Sequence, residues 1–263
     1  MFDARIAAAL VLSATPAVAG ARPFDTDSPE LLPSGAVEAE IAAEAACGAG
    51  RPIFPADDGL DLAVPQLGLR TGLGPWGEIR VDGDLYRRFD PEAGAAVAGA
   101  GDWRVGMKVR VGPVRPGLAW AASFRAKIPV ASDDDGIGTD LADLDARLHL
   151  GGDFGSGRWD IDAGIALLGA PFRERAQVDL LTYSGVFRAH LTHWLDVGGE
   201  IAGRSAGDFY PARAIARAGI QARRGRVRLD AAAGIGLARG SPDAELRLGV
   251  TLPFARGGAG GGP

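Results

Sequence analysis

The strongest constraint on this chain is an alternation of apolar and polar residues with a period of two, recurring in segments of about 10 to 15 residues. Between Asp102 and Gly112, Trp103, Val105, Met107, Val109 and Val111 fall on one face of an extended strand, and Asp102, Arg104, Lys108 and Arg110 fall on the other. Leu118, Trp120, Ala122, Phe124, Ala126 and Ile128 alternate with Ser123, Arg125 and Lys127 in the same way. Leu144, Ala146, Leu148 and Leu150 oppose Asp143, Asp145, Arg147 and His149, and Trp159, Ile161, Ala163, Ile165 and Leu167 oppose Asp160 and Asp162. Towards the end of the chain Val227, Leu229, Ala231 and Ala233 face away from Arg228 and Asp230, while Leu246, Leu248, Val250 and Leu252 face away from Glu245, Arg247 and Thr251.

With the weaker segments included, strands are expected at 35–47, 59–70, 76–87, 101–112, 116–129, 140–151, 157–169, 176–191, 194–206, 211–223, 226–238 and 242–254. This pattern predicts an all-β fold, an antiparallel transmembrane up-and-down β-barrel of about 12 strands, with ten remaining open if two weak segments fail. The 40 glycines and 17 prolines of the 263 residues add to the β bias, since they punctuate rather than extend helices.

The connections carry an independent signal. Outer-membrane barrels alternate short periplasmic turns with longer extracellular loops. Tight joins are expected at 72–75, 112–115, 151–157, 192–193 and 224–225, and longer ones at 48–59, 88–100, 131–139, 170–175 and 205–211, with Gly240-Ser241 an exceptionally short outer loop. A soluble periplasmic β-sandwich fits the alternation but not this rhythm. Trp76, Trp103, Trp120, Trp159 and Trp194 fall in or beside predicted strands, where an interfacial girdle or an ordinary core would equally place them.

The chain divides into residues 1–21, a secretory signal with Arg5, an apolar run from Ile6 and a small-residue cleavage site; 22–34, a periplasmic segment; 35–254, the barrel; and 255–263, a Gly-rich tail. The apolar run is too short to span a bilayer as a helix, so a membrane location requires a closed barrel. Interspersed charges and a formal net charge of -5 argue against nucleic acid as a partner. The single cysteine, Cys47, excludes an internal disulfide and leaves no zinc spacing.

The charged strand face is expected to line the lumen, because Arg or Lys on the lipid face would cost about 2–4 kcal/mol at the midplane. The candidate lining residues are Arg80, Arg104, Lys108, Arg110, Arg125, Lys127, Asp143, Asp145, Arg147, Asp160, Asp162, Glu200, Arg228, Asp230, Glu245 and Arg247. They suit either the wall of a water-filled channel or an ion-paired plug in a narrow barrel, and their mixed signs give no clean anion or cation preference. No catalytic or metal site and no cofactor is expected. The Asp133-Asp134-Asp135-Gly136 loop lacks calcium-loop spacing. His149, His190 and His193 form no metal motif, and Ser184 with His190 is the only germ of a nucleophile–base pair, without an acid partner.

Several stretches resemble a family of outer-membrane transporters named for the MetA pathway of phenol degradation. Ala21-Arg22-Pro23-Phe24-Asp25-Thr26-Asp27 is similar to its ARPL-x-TDD opening, and Leu69-Arg70-Thr71-Gly72-Leu73 to its LRYGL turn. Residues 99–110 resemble its GLGD-x-x-x-G-x-KYR strand, although Val109 replaces the tyrosine. Ala126-Lys127-Ile128-Pro129 with Gly136-Ile137-Gly138-Thr139 resembles its KLPTG…GLGTG hairpin. The resemblance spans about residues 21–170 and implies an outer-membrane channel or transporter for small aromatic or hydrophobic solutes. A nonconducting structural or surface-interaction barrel is the alternative. Expected partners are the lipid bilayer of the outer membrane, a small-molecule solute and, during biogenesis, the barrel-assembly machinery.

Overall fold

The computed structural model describes residues 22–50, 58–112, 117–134, 136–170, 176–205 and 211–255. The expected signal segment and the tail beyond Ala255 lie outside them, as do parts of five connections. Fourteen strands form one antiparallel sheet among the described residues. They are β1 (Val37–Cys47), β2 (Gly59–Gly72), β3 (Gly77–Asp84), β4 (Arg87–Pro91), β5 (Val97–Gly99), β6 (Trp103–Arg110), β7 (Ala119–Ile128), β8 (Leu144–Phe154), β9 (Gly157–Ala170), β10 (Ala176–His190), β11 (Leu195–Ser205), β12 (Arg213–Arg224), β13 (Val227–Gly236) and β14 (Ala244–Ala255).

The sheet closes on itself because β1 pairs with both β2 and β14, Ile41 standing opposite Leu67 on one side and Val250 on the other. Closure removes the free edges from the body of the barrel, the condition for strands in lipid, and leaves β5, at the far end of its stave, paired among the described residues on one side only, with β4. The barrel has twelve staves: β3 and β4 are one stave interrupted at Leu85 and Tyr86, and β5 and β6 another interrupted at 100–102. β2 pairs with β3 through its second half and with β4 through its first. Backbone bonds bridge the break, from Leu85 N–H to the Pro65 carbonyl at 2.9 Å and from Gly101 N–H to the Asp84 carbonyl at 3.0 Å.

Two expectations about connections are corrected here. The long loop expected at 88–100 is mostly the β4–β5 hairpin, an extension of the wall turned at 92–96 and anchored by buried Phe89, which packs with Val97, Ala131 and Ile137. Residues 140–143, expected to open a strand, belong instead to the connection before β8, while β8 runs on to Phe154 and leaves a two-residue turn at Gly155-Ser156.

Burial is inverted relative to a soluble protein. Ile41, Leu69, Met107, Phe124, Leu148, Ile161, Ile165, Phe187, Ile201 and Leu248 are exposed around the outer surface, whereas Arg70, Asp160, Asp162 and Arg217 are buried inside. An apolar belt of this extent is the lipid-facing surface of a membrane barrel. Both ends of the described barrel chain, Val37 and Ala255, lie opposite each other at one rim, here called the terminal end; the other rim is the loop end.

Candidate functional site

The lumen is built by inward positions of every stave and contains two structures, a strap and a pair of cavities. The strap is residues 22–36. It enters where Gly35 N–H donates to the Gly72 carbonyl and Gly72 N–H donates to that of Ala36, at 2.9 and 3.0 Å. The segment 22–34, expected on the periplasmic side, lies inside the terminal half of the barrel with Phe24, Thr26, Ser28, Leu31 and Leu32 all buried.

The strap is short and bonded mainly to the wall, and the wall's charges supply its partners. The Thr26 amide and hydroxyl each donate to Glu200 Oε1 at 2.6 Å. The Asp27 amide donates to Asp162 Oδ2 at 2.8 Å, and the Leu32 amide to Glu78 Oε2 at 2.8 Å. Lys108 Nζ donates to the Ser28 carbonyl at 2.8 Å and lies 3.3 Å from Asp27 and 3.1 Å from Glu78. The Asp25 carboxylate bridges Arg217 and Arg247 at 2.8 and 2.7 Å. Arg22 faces Asp230 at 3.4 Å and donates to the Leu248 carbonyl at 2.9 Å.

Shape complements charge. Gly198 and Gly219 are register partners on β11 and β12, and a Cβ at either would stand 3.0 Å from Phe24 Cζ. Two adjacent glycines thus open a recess for the Phe24 ring, over which the Arg188 guanidinium sits at 6.0 Å. Enclosure would by itself raise the pKa of Asp25, but Arg247 and Arg217 more than offset it and hold the carboxyl below the ordinary carboxylate range. Asp27 is depressed by Lys108 and then His149 against the same opposing effect of enclosure.

The sixteen sequence-predicted residues divide by height. Lys108, Asp160, Asp162, Glu200, Arg228, Asp230 and Glu245 are buried in the network around and just above the strap. Arg228 pairs with Glu38 at 3.3 Å, and Asp160 is held between Arg158 at 2.9 Å and Arg188 at 3.1 Å. Arg80 and Arg247 reach the space above. Arg104, Arg125, Lys127, Asp143, Asp145 and Arg147 lie nearer the loop end, with Asp143 just outside β8 and bonded to Lys127 at 3.0 Å. Arg110 is exposed at the end of β6. Missed from sequence were the strap residues and Glu38, Glu40, Arg70 and Glu78, in which fully buried Arg70 meets Glu38 at 2.5 Å and Glu40 at 3.4 Å. The parity of Glu38, Glu40 and Glu44 was readable, but the alanines between them weaken the apolar half of the pattern.

Above the strap the lumen opens into a cavity of about 440 Å³, continued towards the loop end by a second of about 390 Å³. Arg87, Arg104, Arg125, Arg147, Arg204 and Arg213 line both. The connection at 129–143 folds inward beside them: Asp102 Oδ1 accepts from the amides of Val130 and Ala131 at 3.1 and 3.0 Å, and Lys127 Nζ donates to Thr139 Oγ1 at 2.8 Å.

Ser184 and His190, the one germ of a nucleophile–base pair in the sequence, are not paired in the structure. Both are on β10, six positions apart, and His190 instead pairs with Asp196 at 2.6 Å near the terminal end. A different trio comes together from three neighbouring strands. His149 Nδ1 lies 2.7 Å from Asp162 Oδ1, and His149 Nε2 lies 2.7 Å from Ser123 Oγ. This is the connectivity of a Ser–His–Asp relay. The three residues line neither cavity, and the second oxygen of Asp162 is occupied by the Asp27 amide. Among the described residues no group of three or more His, Cys, Asp or Glu is placed to hold a metal ion.

No family model matches the sequence, and no curated protein matches it. Solved structures do. The β domain of the Bordetella autotransporter BrkA aligns at TM-score 0.51 and 15% identity, covering 84% of this chain and 100% of that one. The fold is that of an outer-membrane β-barrel. The anion-selective porin from Comamonas acidovorans aligns at TM-score 0.41 and 10% identity over 84% of this chain and 98% of that one. Outer membrane phospholipase A from Escherichia coli aligns at TM-score 0.44 and 11% identity over 86% of this chain and 94% of that one. At these identities the likeness extends to architecture and to the lipid setting that such a barrel implies, because one fold carries many functions.

Proposed function

We propose that this protein is a passive outer-membrane channel or transporter for small polar solutes, with its terminal end in the periplasm and its lumen closed there by the N-terminal strap. The observation that carries the reading is the pair of contiguous cavities lined by charged side chains above the strap. A barrel that served only as a rigid plug would gain by filling that space with ion pairs, as this one does around Arg70 and Arg217. The strap is the removable part: between Arg22 and Leu32 its bonds run mainly to side chains of the wall, and the wall closes from Val37 onward without it.

The resemblance to the phenol-degradation transporters adds an expectation of aromatic cargo. A lumen of this polarity favours an aromatic solute that also carries a polar or charged group over a purely apolar one. The test is planar-bilayer recording of the full chain beside a form lacking residues 22–34. Stable openings, larger or more frequent in the shortened form, support the channel. Insertion of both forms without conductance transfers the assignment to the nonconducting structural barrel.

The Ser123–His149–Asp162 relay favours a second reading, a barrel hydrolase. A nucleophile of that kind needs substrate access and donors for the developing oxyanion. With Ser123 outside both cavities, the trio serves better as a brace joining β7, β8 and β9.

A further inference from the structure

The inward face of β10 differs in kind from the charged wall around it. Its consecutive inward positions Val178, Leu180, Thr182, Ser184 and Val186 carry no charge, whereas those of β8 include Asp145 and Arg147 and those of β12 include Arg213 and Arg217. This stripe runs along the lumen through both cavities: Ser184 lines the one above the strap, Val178 and Leu180 the one towards the loop end, and Thr182 both. Neighbouring strands widen it. Ala166 and Leu168 of β9 pack with Val178 and Leu180, and Ala202 of β11 stands opposite Ser184 with Ile215 of β12 beyond it. In the closed ring of twelve staves β2 stands six from β10, so it lies across the lumen. There Asp61 bonds Arg87 at 2.9 and 2.5 Å, and nearby Asp82 is held by Arg125 at 2.7 Å.

Two hydroxyls on the stripe point to a ligand. Thr182 and Ser184 are more than nine-tenths buried, and their hydroxyl oxygens have no hydrogen-bond partner among the described residues. Buried polar groups are nearly always bonded, so two orphaned hydroxyls side by side on a cavity wall mark where a ligand's polar atom belongs. A serine or threonine hydroxyl both donates and accepts, which suits a solute O–H or C=O and selects no charge. Residues two apart on a strand are separated by about 6.6 Å, which places Leu180 within the span of a six-membered ring bonded at Thr182.

We propose that this stripe is a binding site for a small uncharged amphipathic solute, its hydroxyl or carbonyl oxygen bonded by Thr182 and Ser184 and its compact apolar body resting on Val178 and Leu180. A charged group seated on that apolar wall would give up its hydration without an opposite charge in return. Cavities of about 440 and 390 Å³ fall within the range of pockets that enclose small ligands, about 300–1,000 Å³. The inference rests on the channel reading and narrows its cargo from polar solutes to uncharged ones with an apolar side.

The test is isothermal titration of the full chain in detergent, against protein-free micelles as the blank, with cyclohexanol, glycerol, cyclohexylammonium and cyclohexanecarboxylate, run beside bilayer recording. Saturable binding is expected for cyclohexanol, and binding at least 10-fold weaker for the other three. The double variant T182V/S184A is expected to weaken cyclohexanol at least 10-fold. Among the described residues neither hydroxyl is bonded, so their removal breaks no contact of the barrel, and retention of the folded band on an unheated gel verifies this. L180A, which shortens the apolar wall and leaves both hydroxyls, is expected to weaken cyclohexanol as well and carries the test if the double variant loses that band. No saturable cyclohexanol binding, equal or tighter binding of either charged ring, or a folded variant that binds as the wild type does would overturn the proposal. Conductance without cyclohexanol binding sinks this inference and leaves the channel; cyclohexanol binding in a barrel that never conducts retains the site and removes the channel.

Discussion

Thr26 commits both its backbone N–H and its hydroxyl to a single oxygen of Glu200, each at 2.6 Å. The carboxylate's other oxygen is held by Arg217 at 2.6 Å, so the strap is fastened to a charge that the wall has already fixed in place. Hydrogen bonds to charged groups contribute about 1.5–3 kcal/mol each. Thr26→Val keeps the shape and removes one of the two. The expected result is a roughly tenfold or greater rise in the fraction of time the strap is undocked, read as more frequent openings in bilayer recordings. An unchanged opening frequency would mean that the strap does not control passage.

Phe24 supplies the apolar half of the same attachment. Its ring occupies the recess left by Gly198 and Gly219, and truncation to alanine leaves that recess empty without altering any wall residue. Burying a phenylalanine typically contributes about 3–5 kcal/mol against alanine. Phe24→Ala is therefore expected to undock the strap further than Thr26→Val, with proteolytic cleavage within 22–34 as the readout and the barrel itself remaining resistant. Cleavage no faster than in the wild type would place the anchoring elsewhere.

Acid is expected to release the strap only well below neutrality. Asp25 and Asp27 have folded-state pKa values held below the ordinary carboxylate value of about 3.9 by Arg247, Arg217 and Lys108. A depressed carboxylate stabilises docking fully above its undocked pKa, and that stabilisation disappears as pH falls through the docked value. Opening frequency should accordingly be flat from about pH 8 to 5 and climb below about pH 4. A rise centred near pH 6 would implicate histidine instead and remove these two carboxylates as the titrating latch.

The closed barrel was legible because lipid enforces the alternation: Leu148 and Ile165 can only face out, and Arg147 and Asp162 only in. The exceptions have local causes. At 88–100 the hairpin lacks the apolar outward face of a lipid-spanning stave, and Phe89 points inward to Ala131 and Ile137, so the sequence resembles a loop. The strap was invisible to periodicity, since residues 22–36 follow no strand period and make their bonds to groups as distant in sequence as Glu200. The relay was missed because Ser123, His149 and Asp162 are neighbours only through the registers of β7, β8 and β9. Inward Val178 and Leu180 reverse the usual polarity of the lumen, which alternation alone does not foretell.

The relay itself separates brace from catalyst. His149 is fully enclosed, with Nδ1 2.7 Å from Asp162 Oδ1 and Nε2 2.7 Å from Ser123 Oγ, and it reaches the strap side of the network through the Asp27 amide on Asp162. As a brace, Ser123 contributes one neutral hydrogen bond, so Ser123→Ala should cost about 1 kcal/mol in resistance to unfolding and leave hydrolysis of a generic nitrophenyl ester at the uncatalysed background in both forms. As a nucleophile, Ser123 would give measurable turnover in the wild type and lose nearly all of it in the variant while the folded band on an unheated gel stayed the same. The same assay on the form lacking residues 22–34 settles access, because removing the strap takes away the Asp27 amide that caps Asp162. Background hydrolysis in all three preparations assigns the trio to the fold; Ser123-dependent turnover in the shortened form alone would make the strap a cover over a working hydrolase.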